Sequence, residues 1–228
     1  MPYTIARLIV GLIFRVLWRP RIEGLENVPA SGPVIIASNH LSFIDSVVIP
    51  LAVPRRVRFL AKAEYFTGRG LRGRGTALFF HLIDAVPVER TGNRDSMRSL
   101  ESALAVLREG TAFGIYPEGT RSRDGRLYRG RTGVGWLALT SGAPVVPVAL
   151  TGTDRVQPVG ARGVRIAPVR VRFGRPVDPA DYGGLPAGRA RRALTDEVME
   201  RIAALSPQER ADTYNERPGG DEVDANSV

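Results

Sequence analysis

This sequence contains no cysteine among its 228 residues, which excludes disulfide bonds, thiolate metal sites and a cysteine nucleophile. It contains two histidines, His40 and His81, so a histidine-rich metal site is not expected. Lysine occurs once, as Lys62, and arginine supplies nearly all of the positive charge. The G-x-S-x-G nucleophile elbow and the G-x-x-x-x-G-K-[ST] phosphate loop are also missing. Any chemistry must therefore come from oxygen and nitrogen side chains in other patterns.

Residues 4–18 form an apolar run that is interrupted by Arg7 and Arg15. The run is shorter than the ~20 apolar residues that a bilayer-spanning helix needs. No small-residue cleavage site follows it, so a secretory signal is not expected. Flanking arginines and a terminal Trp18 are typical of a helix that lies in a membrane interface. We predict a short amphipathic interfacial helix over residues 1–18; the alternative is a first helix packed on the core.

Charge is divided unevenly along the chain, whose formal total is +9. Residues 206–228 hold six acidic and two basic side chains, so they carry −4 and leave +13 on residues 1–205. Such a basic body should attract anions: nucleic acid, anionic lipid or phosphorylated substrates. Nucleic acid is discounted because no nucleic-acid-binding motif is present and few aromatic residues lie among the cations. Residues 206–228 are polar and are predicted to be a disordered acidic tail.

Apolar strand patterns alternate with helical patterns between these two ends. Strands are predicted at residues 34–37, 57–60, 85–88, 112–116, 145–150 and 169–173, and helices at residues 42–51, 95–109, 132–140 and 189–205. This alternation indicates an α/β fold with a largely parallel sheet flanked by helices. We expect one such domain over residues 19–205, a length that suits a single core.

The first motif, NHLSFID over residues 39–45, follows a predicted buried strand. If His40 lies in the loop and a helix starts near Ser42, Asp45 can point back from the first turn towards the imidazole. A carboxylate that accepts from Nδ1–H leaves Nε2 free to act as a base. The alternative is a capping box, in which Ser42 and Asp45 only cap the helix.

The second motif, YPEGTRS over residues 116–122, also follows a predicted strand. Pro117 and Gly119 suit positions i+1 and i+3 of a type I turn. The Arg121 guanidinium can bind a phosphate through two hydrogen bonds, and N–H groups of the turn can assist. The alternative is an ordinary turn followed by solvated arginines. Together the two motifs supply most of an acyl-transfer site for a phosphate-bearing alcohol.

These motifs resemble the first and third conserved blocks, H-x4-D and F-P-E-G-T-R-S, of the lysophosphatidic-acid (1-acyl-glycerol-3-phosphate) acyltransferase family of glycerolipid acyltransferases. AVPVER at residues 85–90 lies where the second block belongs, but it lacks the usual glycine and aromatic residue before its arginine. VPVAL at residues 146–150 resembles the fourth block, and AKAE at residues 61–64 resembles the lysine-containing segment. LYRGR at residues 127–131 departs from the usual Phe- and Lys-rich stretch. The resemblance covers residues 20–175.

The resemblance implies a role for each matching residue. His40 would be the catalytic base and Asp45 would orient it; Glu118, Gly119 and Thr120 would shape the acceptor site, and Arg121, Lys62 and Arg90 would hold the acceptor phosphate. It implies no metal and no cofactor, with acyl-coenzyme A (acyl-CoA) or acyl carrier protein (acyl-ACP) as the acyl donor. The acceptor would be lysophosphatidic acid and the product phosphatidic acid. No function is assigned to His81.

The same resemblance implies a peripheral protein on the cytoplasmic face of the cell membrane, with an anionic bilayer surface as its partner. Seven cations and one acid lie between Arg55 and Arg74. They are either a solvated surface or a contact for anionic lipid or coenzyme A phosphates. Two alternatives remain: the same chemistry on glycerol-3-phosphate, a lysophospholipid or a glycolipid, and a non-catalytic lipid-binding protein. The intact base and arginine motifs argue against the second, because binding alone needs no base.

Overall fold

A seven-stranded sheet forms the centre of the structure, and its middle strands are the apolar segments that the sequence predicts. The computed structural model describes residues 11–68, 70–82, 84–88, 93–161 and 163–216. The strands of this sheet are β1 (Arg21–Glu23), β2 (Val34–Ser38), β3 (Val57–Lys62), β4 (Val86–Val88), β5 (Ala112–Ile115), β7 (Val145–Thr151) and β8 (Arg170–Phe173). A second sheet pairs β6 (Leu127–Tyr128) with β9 (Arg210–Ala211).

The strand order of the large sheet is β1-β8-β7-β2-β5-β3-β4. Strands β7, β2, β5, β3 and β4 are parallel neighbours, whereas β8 is antiparallel to β7 and pairs in parallel with β1. The predicted α/β fold with a largely parallel sheet is therefore confirmed. All five residues of β2 are buried, as expected of a strand that is covered on both faces.

Helices cover both faces of the sheet. They are residues 11–18 (α1), α2 (Asp45–Ala52), α3 (Glu64–Thr67), α4 (Gly70–Leu82), α5 (Asn93–Arg108), α6 (Gly133–Ser141), α7 (Thr153–Val156) and α8 (Ala187–Leu205). Side chains alternate along β2, so that Val34 and Ile36 pack with α2 on one face while Ile35 and Ala37 pack with α5, α6 and α8 on the other. Within the described residues no helix is long and apolar enough to cross a membrane.

The structure departs from the sequence predictions at helices α2, α3 and α4. Helix α2 begins at Asp45 rather than at residue 42. Helices α3 and α4 were not predicted, because α3 has only four residues, and α4 is rich in glycine and arginine and shows weak apolar periodicity.

The predicted disordered tail is wrong for its first half. Residues 206–216 are described, and β9 within them pairs in parallel with β6. Side chains of this segment also make hydrogen bonds to loops that lie far away in sequence. Its low apolar content is offset by these polar contacts, which composition does not reveal. Residues 217–228, like residues 1–10 of the predicted N-terminal helix, lie outside the described part of the chain.

Gly114 in β5 allows the close approach of its partner in β3. Phe59 lies opposite it in the register, and a Cβ on Gly114 would lie 2.0 Å from the Phe59 ring. The Phe59 ring is buried in the core and stacks on Tyr116 at a centroid distance of 5.4 Å. A glycine is therefore required here by packing and not by a turn.

We expect Gly114→Ala to lower the free energy of unfolding by about 1–3 kcal/mol, because overpacking displaces a buried ring. Urea unfolding followed by circular dichroism measures this change. Gly188→Ala is the matched control, since the Cβ that it adds in α8 would meet open space. The explanation is wrong if the two variants are equally stable.

Candidate active site

The parallel strands bring the sequence motifs to one edge of the sheet. His40 lies two residues after the end of β2, and Tyr116 directly follows β5, which is the neighbour of β2. Lys62 is the last residue of β3, the next strand along, and β4 beyond it ends two residues before Arg90. Loops at the carboxyl ends of such strands commonly form active sites. Arg90 itself lies outside the described residues, and only the backbone of Lys62 is described.

His40 and Asp45 form the contact that the first motif suggests. The imidazole Nδ1 lies 2.9 Å from Oδ2 of Asp45. The same oxygen accepts hydrogen bonds from the backbone N–H groups of Leu41 at 2.7 Å and Ser42 at 2.8 Å. Because a carboxylate only accepts, Nδ1 carries a proton, and in the neutral imidazole the free lone pair is then on Nε2. The Asp45 side chain is fully buried, whereas 16% of the His40 side chain is exposed.

The capping alternative describes part of the same geometry. Asp45 accepts from the Ser42 N–H, as the acidic residue of a capping box would. The reciprocal bond is missing, however, because the Asp45 N–H donates to the backbone carbonyl of Ser42 at 3.2 Å and not to the Ser42 hydroxyl. That hydroxyl donates to the carbonyl of Gln157 at 2.7 Å. Asp45 is also the first residue of its helix. One oxygen therefore fixes both the loop and the imidazole.

Glu118 holds the backbone of His40 in place. Its Oε1 accepts from the His40 N–H at 3.0 Å, and its Oε2 accepts from the Tyr128 N–H at 3.0 Å. The carbonyl of His40 accepts from the N–H of Ser122 at 2.7 Å. The second motif thus makes hydrogen bonds to both the backbone N–H and the carbonyl of His40.

Burial of the Glu118 carboxylate raises its pKa to about 7. The two N–H donors oppose this shift, and the nearby charges of Asp45 and Asp124 add to it. The shift is large because a fully buried charge loses its hydration. A small change of pH near neutrality therefore alters the charge of the group that holds His40.

Tyr116 covers one face of the imidazole. Its ring stacks on the His40 ring with centroids 3.8 Å apart and planes 6° apart. Its hydroxyl lies 2.9 Å from the hydroxyl of Ser46 in α2. Burial raises the pKa of the phenol well above its ordinary value, so Tyr116 stays protonated. Sequence reasoning missed this contact; the available signal was a tyrosine where the family block has phenylalanine.

The turn of the second motif has the expected form. The Gly119 N–H donates to the Tyr116 carbonyl at 3.0 Å, and Gly119 adopts a φ of 81°. A side chain there would meet the Arg131 side chain at 3.0 Å, so glycine suits both the conformation and the space. Thr120 and Arg121 follow and are half-buried. The roles of these residues in binding stay predictions.

Part of the basic stretch serves the fold. Arg55 donates to the carbonyls of Pro29, Gly32 and Gly110, and Arg58 bonds to Asp84 and Glu109. These two cations are therefore engaged within the protein. Among the described residues, no group of three or more histidine or acidic side chains is placed to hold a metal ion.

The fold and the site define an α/β protein with a hydrogen-bonded histidine–aspartate pair at the carboxyl edge of a parallel sheet. The model of the acyltransferase family matches residues 19–151, which include both motifs. The chain belongs to the acyltransferase family, and the resemblance drawn from its motifs is confirmed.

Similar proteins carry a common name. A chloroplastic 1-acyl-sn-glycerol-3-phosphate acyltransferase of Arabidopsis thaliana is 33% identical over 88% of this chain and 53% of its own length. One of Bacillus subtilis is 29% identical over 81% of this chain and 87% of its own. The crystal structure of the 1-acyl-sn-glycerophosphate acyltransferase PlsC from Thermotoga maritima matches with a TM-score of 0.65 and 25% identity, covering 87% of this chain and 80% of that one. The chain spans about half the length of the plant relatives.

We expect the stability of the protein to fall as the pH rises through about 7, because the folded state binds the Glu118 proton more tightly than the unfolded state does. This stabilisation is fully present below the unfolded pKa of about 4.3. Glu118→Gln should remove this component, so its free energy of unfolding should fall less between pH 5 and pH 8. Urea unfolding at both pH values tests this.

Glu101→Gln, which removes a carboxylate from an exposed position on α5, is the matched control and should keep the wild-type trend. An unchanged trend in Glu118→Gln would show that Glu118 is already ionised at pH 5 in the folded protein.

Proposed function

We propose that this protein transfers a fatty acyl group from an acyl thioester to the free hydroxyl of 1-acyl-glycerol-3-phosphate and so forms phosphatidic acid. The observation that carries the proposal is the 2.9 Å contact between His40 and Asp45, held beside the arginine-bearing turn. The names of the similar proteins support the acceptor, since they describe acylation of that lipid. The activity, the substrates and the partners are our proposals for this chain.

His40 acts as a general base in the proposed reaction. Its Nε2 removes the hydroxyl proton while the hydroxyl oxygen attacks the carbonyl carbon of the thioester. The carbon–sulfur bond then breaks, and the leaving thiolate takes the proton back from the imidazolium. Asp45 stabilises the positive charge that His40 carries between these two steps. The acyl group passes directly to the acceptor, with acyl-CoA or acyl-ACP as the donor and no cofactor.

The acceptor phosphate is bound, in this proposal, by Arg121 together with Lys62 and Arg90. Arginine suits this role because its planar guanidinium can make two parallel hydrogen bonds to phosphate oxygens. Gly119 and Thr120 directly precede this arginine in the chain, and we assign them to the acceptor site. Glu118 acts differently from the role that the family resemblance implies, because both of its oxygens are used by backbone N–H groups. We assign it to the positioning of His40.

The chain works at a membrane surface in this proposal, as a peripheral protein on its cytoplasmic face. Exposed apolar side chains support this, since Leu12 is 65% and Val16 61% exposed on α1 while Phe14 of the same helix is buried in the core. Ile166, 72% exposed, is close in sequence to Arg165, whose carbonyl accepts a hydrogen bond from Trp18 at the end of α1. An apolar face beside exposed arginines fits an anionic bilayer.

We expect His40→Ala to lower turnover by roughly two to four orders of magnitude, the usual contribution of a positioned base. Release of free thiol from palmitoyl- and oleoyl-coenzyme A, with lysophosphatidic acid, glycerol-3-phosphate or lysophosphatidylcholine as acceptor, measures the activity. His81→Ala, which changes the other histidine, is the control and should stay within a few-fold of wild type. Near-normal turnover in His40→Ala would show that another group is the base.

We expect the double variant Leu12→Glu, Val16→Glu to bind vesicles at least about tenfold more weakly, because two exposed apolar contacts become charges that anionic lipid repels. Co-sedimentation with phosphatidylglycerol-containing vesicles measures binding. The double variant Leu78→Glu, Leu185→Glu changes two exposed leucines outside α1 and is the control. Equal binding by both variants would place the membrane contact elsewhere, most simply at the basic residues 55–74.

A further inference from the structure

Residues 206–216, which we call the C-terminal strap, lie against the loops of both motifs. The strap follows α8 and lies beyond residues 19–151, the part that matches the family model. Its backbone pairs with β6 and with the residues around it: Leu127 donates to the carbonyl of Glu209 at 2.8 Å, and Arg129 donates to that of Thr213 at 3.0 Å. The strap thus lies beside the segment that directly follows the second motif.

Gln208 of the strap joins the loop of the base to the loop of the turn. Its Oε1 accepts from Nδ2 of Asn39 at 2.6 Å, and its Nε2 donates to the carbonyl of Gly125 at 2.7 Å. Asn39 is fully buried, immediately precedes His40 and is also bonded to both backbone groups of Leu150 in β7. The Asn39 oxygen also accepts from the Ser38 hydroxyl at 3.3 Å, and Gln208 is the partner that the strap supplies to this residue beside the base.

Asn215 of the strap supports the other motif. Its Nδ2 donates to the carbonyl of Arg121 at 3.1 Å, and its own carbonyl accepts from the guanidinium of Arg131 at 3.0 Å. The Arg131 N–H in turn donates to the carbonyl of Pro117 at 2.8 Å. Asn215 is 9% exposed, and both of its bonds are partly shielded from water. The strap therefore holds the backbone of Arg121 in place through Asn215.

The strap also reaches the open space beside the site. Pro207, Gln208 and Glu209 line an open cleft of about 400 Å³, together with Leu41 from the loop of the base. A change in the strap therefore alters both the support of the motifs and one wall of the neighbouring cleft.

We propose that the C-terminal strap completes the active site, with Gln208 as a positioning residue for His40 and Asn215 as a positioning residue for Arg121. The proposal rests on the acyl transfer proposed above. Neither residue touches the reacting atoms; each acts through a hydrogen bond to the loop that carries a functional side chain. Small displacements of a base or of a phosphate-binding arginine lower the reaction rate, because the reacting groups must be held near the geometry of attack.

Contacts that only pack the strap are made by other residues. Arg210 bonds to Glu200 of α8, and the Tyr214 hydroxyl accepts from Arg192 of the same helix at 3.2 Å. These contacts hold the strap to α8 and do not involve either motif. Variants within this one short segment can therefore separate the positioning of the two motifs from the packing of the strap on α8.

The test compares Gln208→Ala and Asn215→Asp with the packing controls Arg210→Gln and Tyr214→Phe, all in the full chain. With the thiol-release assay, we expect Gln208→Ala to lower kcat at least tenfold while the KM for lysophosphatidic acid changes less than threefold. We expect Asn215→Asp, which keeps the shape but cannot donate to the Arg121 carbonyl, to raise that KM at least fivefold. Both controls should stay within about twofold in either constant.

Activities are expressed per folded molecule, with the folded fraction taken from urea unfolding of each variant. If Gln208→Ala does not fold, Gln208→Met replaces it, because it keeps a side chain of similar size and loses the bonds to Asn39 and Gly125; its kcat should still fall at least threefold. The inference would be overturned if all variants, including the controls, changed kcat and KM equally. It would also be overturned if Gln208→Ala and Asn215→Asp changed neither constant. Both outcomes would leave the proposed function intact. Wild-type protein without acyl transfer to any acceptor would overturn both.

Discussion

The geometry of the site depends on one buried carboxylate shared between two backbone N–H groups. Glu118 accepts from His40 with one oxygen and from Tyr128 with the other, so it joins the loop after β2 to the segment after the second motif. The bond from Glu118 fixes the backbone of His40 itself, whereas Asp45 fixes the imidazole ring and the backbone of the next two residues. Burial of the ionised Glu118 carboxylate is unfavourable, as its raised pKa shows. The same carboxylate aligns the backbone of His40 through its hydrogen bond.

Much of the fold followed from the sequence, because the central strands are continuous apolar runs and parallel sheets are buried on both faces. The contact between His40 and Asp45 also followed, since a loop histidine and a first-turn carboxylate five residues later can meet. The direction of Glu118 did not follow. A glutamate in a Pro-Glu-Gly turn looks solvated in sequence, and its burial depends on Tyr128 and on the adjacency of β2 and β5.

The strap shows a different limit of prediction from sequence. Its composition is polar and acidic, which predicts disorder when only apolar burial is counted. Its order comes from hydrogen bonds to partners that are distant in sequence, such as Asn39 and the carbonyl of Arg121. Such partners cannot be inferred from local periodicity. The stacking of Tyr116 on His40 was missed for a similar reason, because it needs β2 and β5 to be neighbours.

The distance along the chain between Asn39 and Gln208 has a consequence for biosynthesis. These residues are 169 positions apart, so a chain growing on the ribosome emerges with both motifs long before the strap is made. Contacts between such distant residues require the closure of long loops and form slowly. A nascent chain can therefore build the central strands first, and its site reaches the final geometry only after the strap has been synthesised.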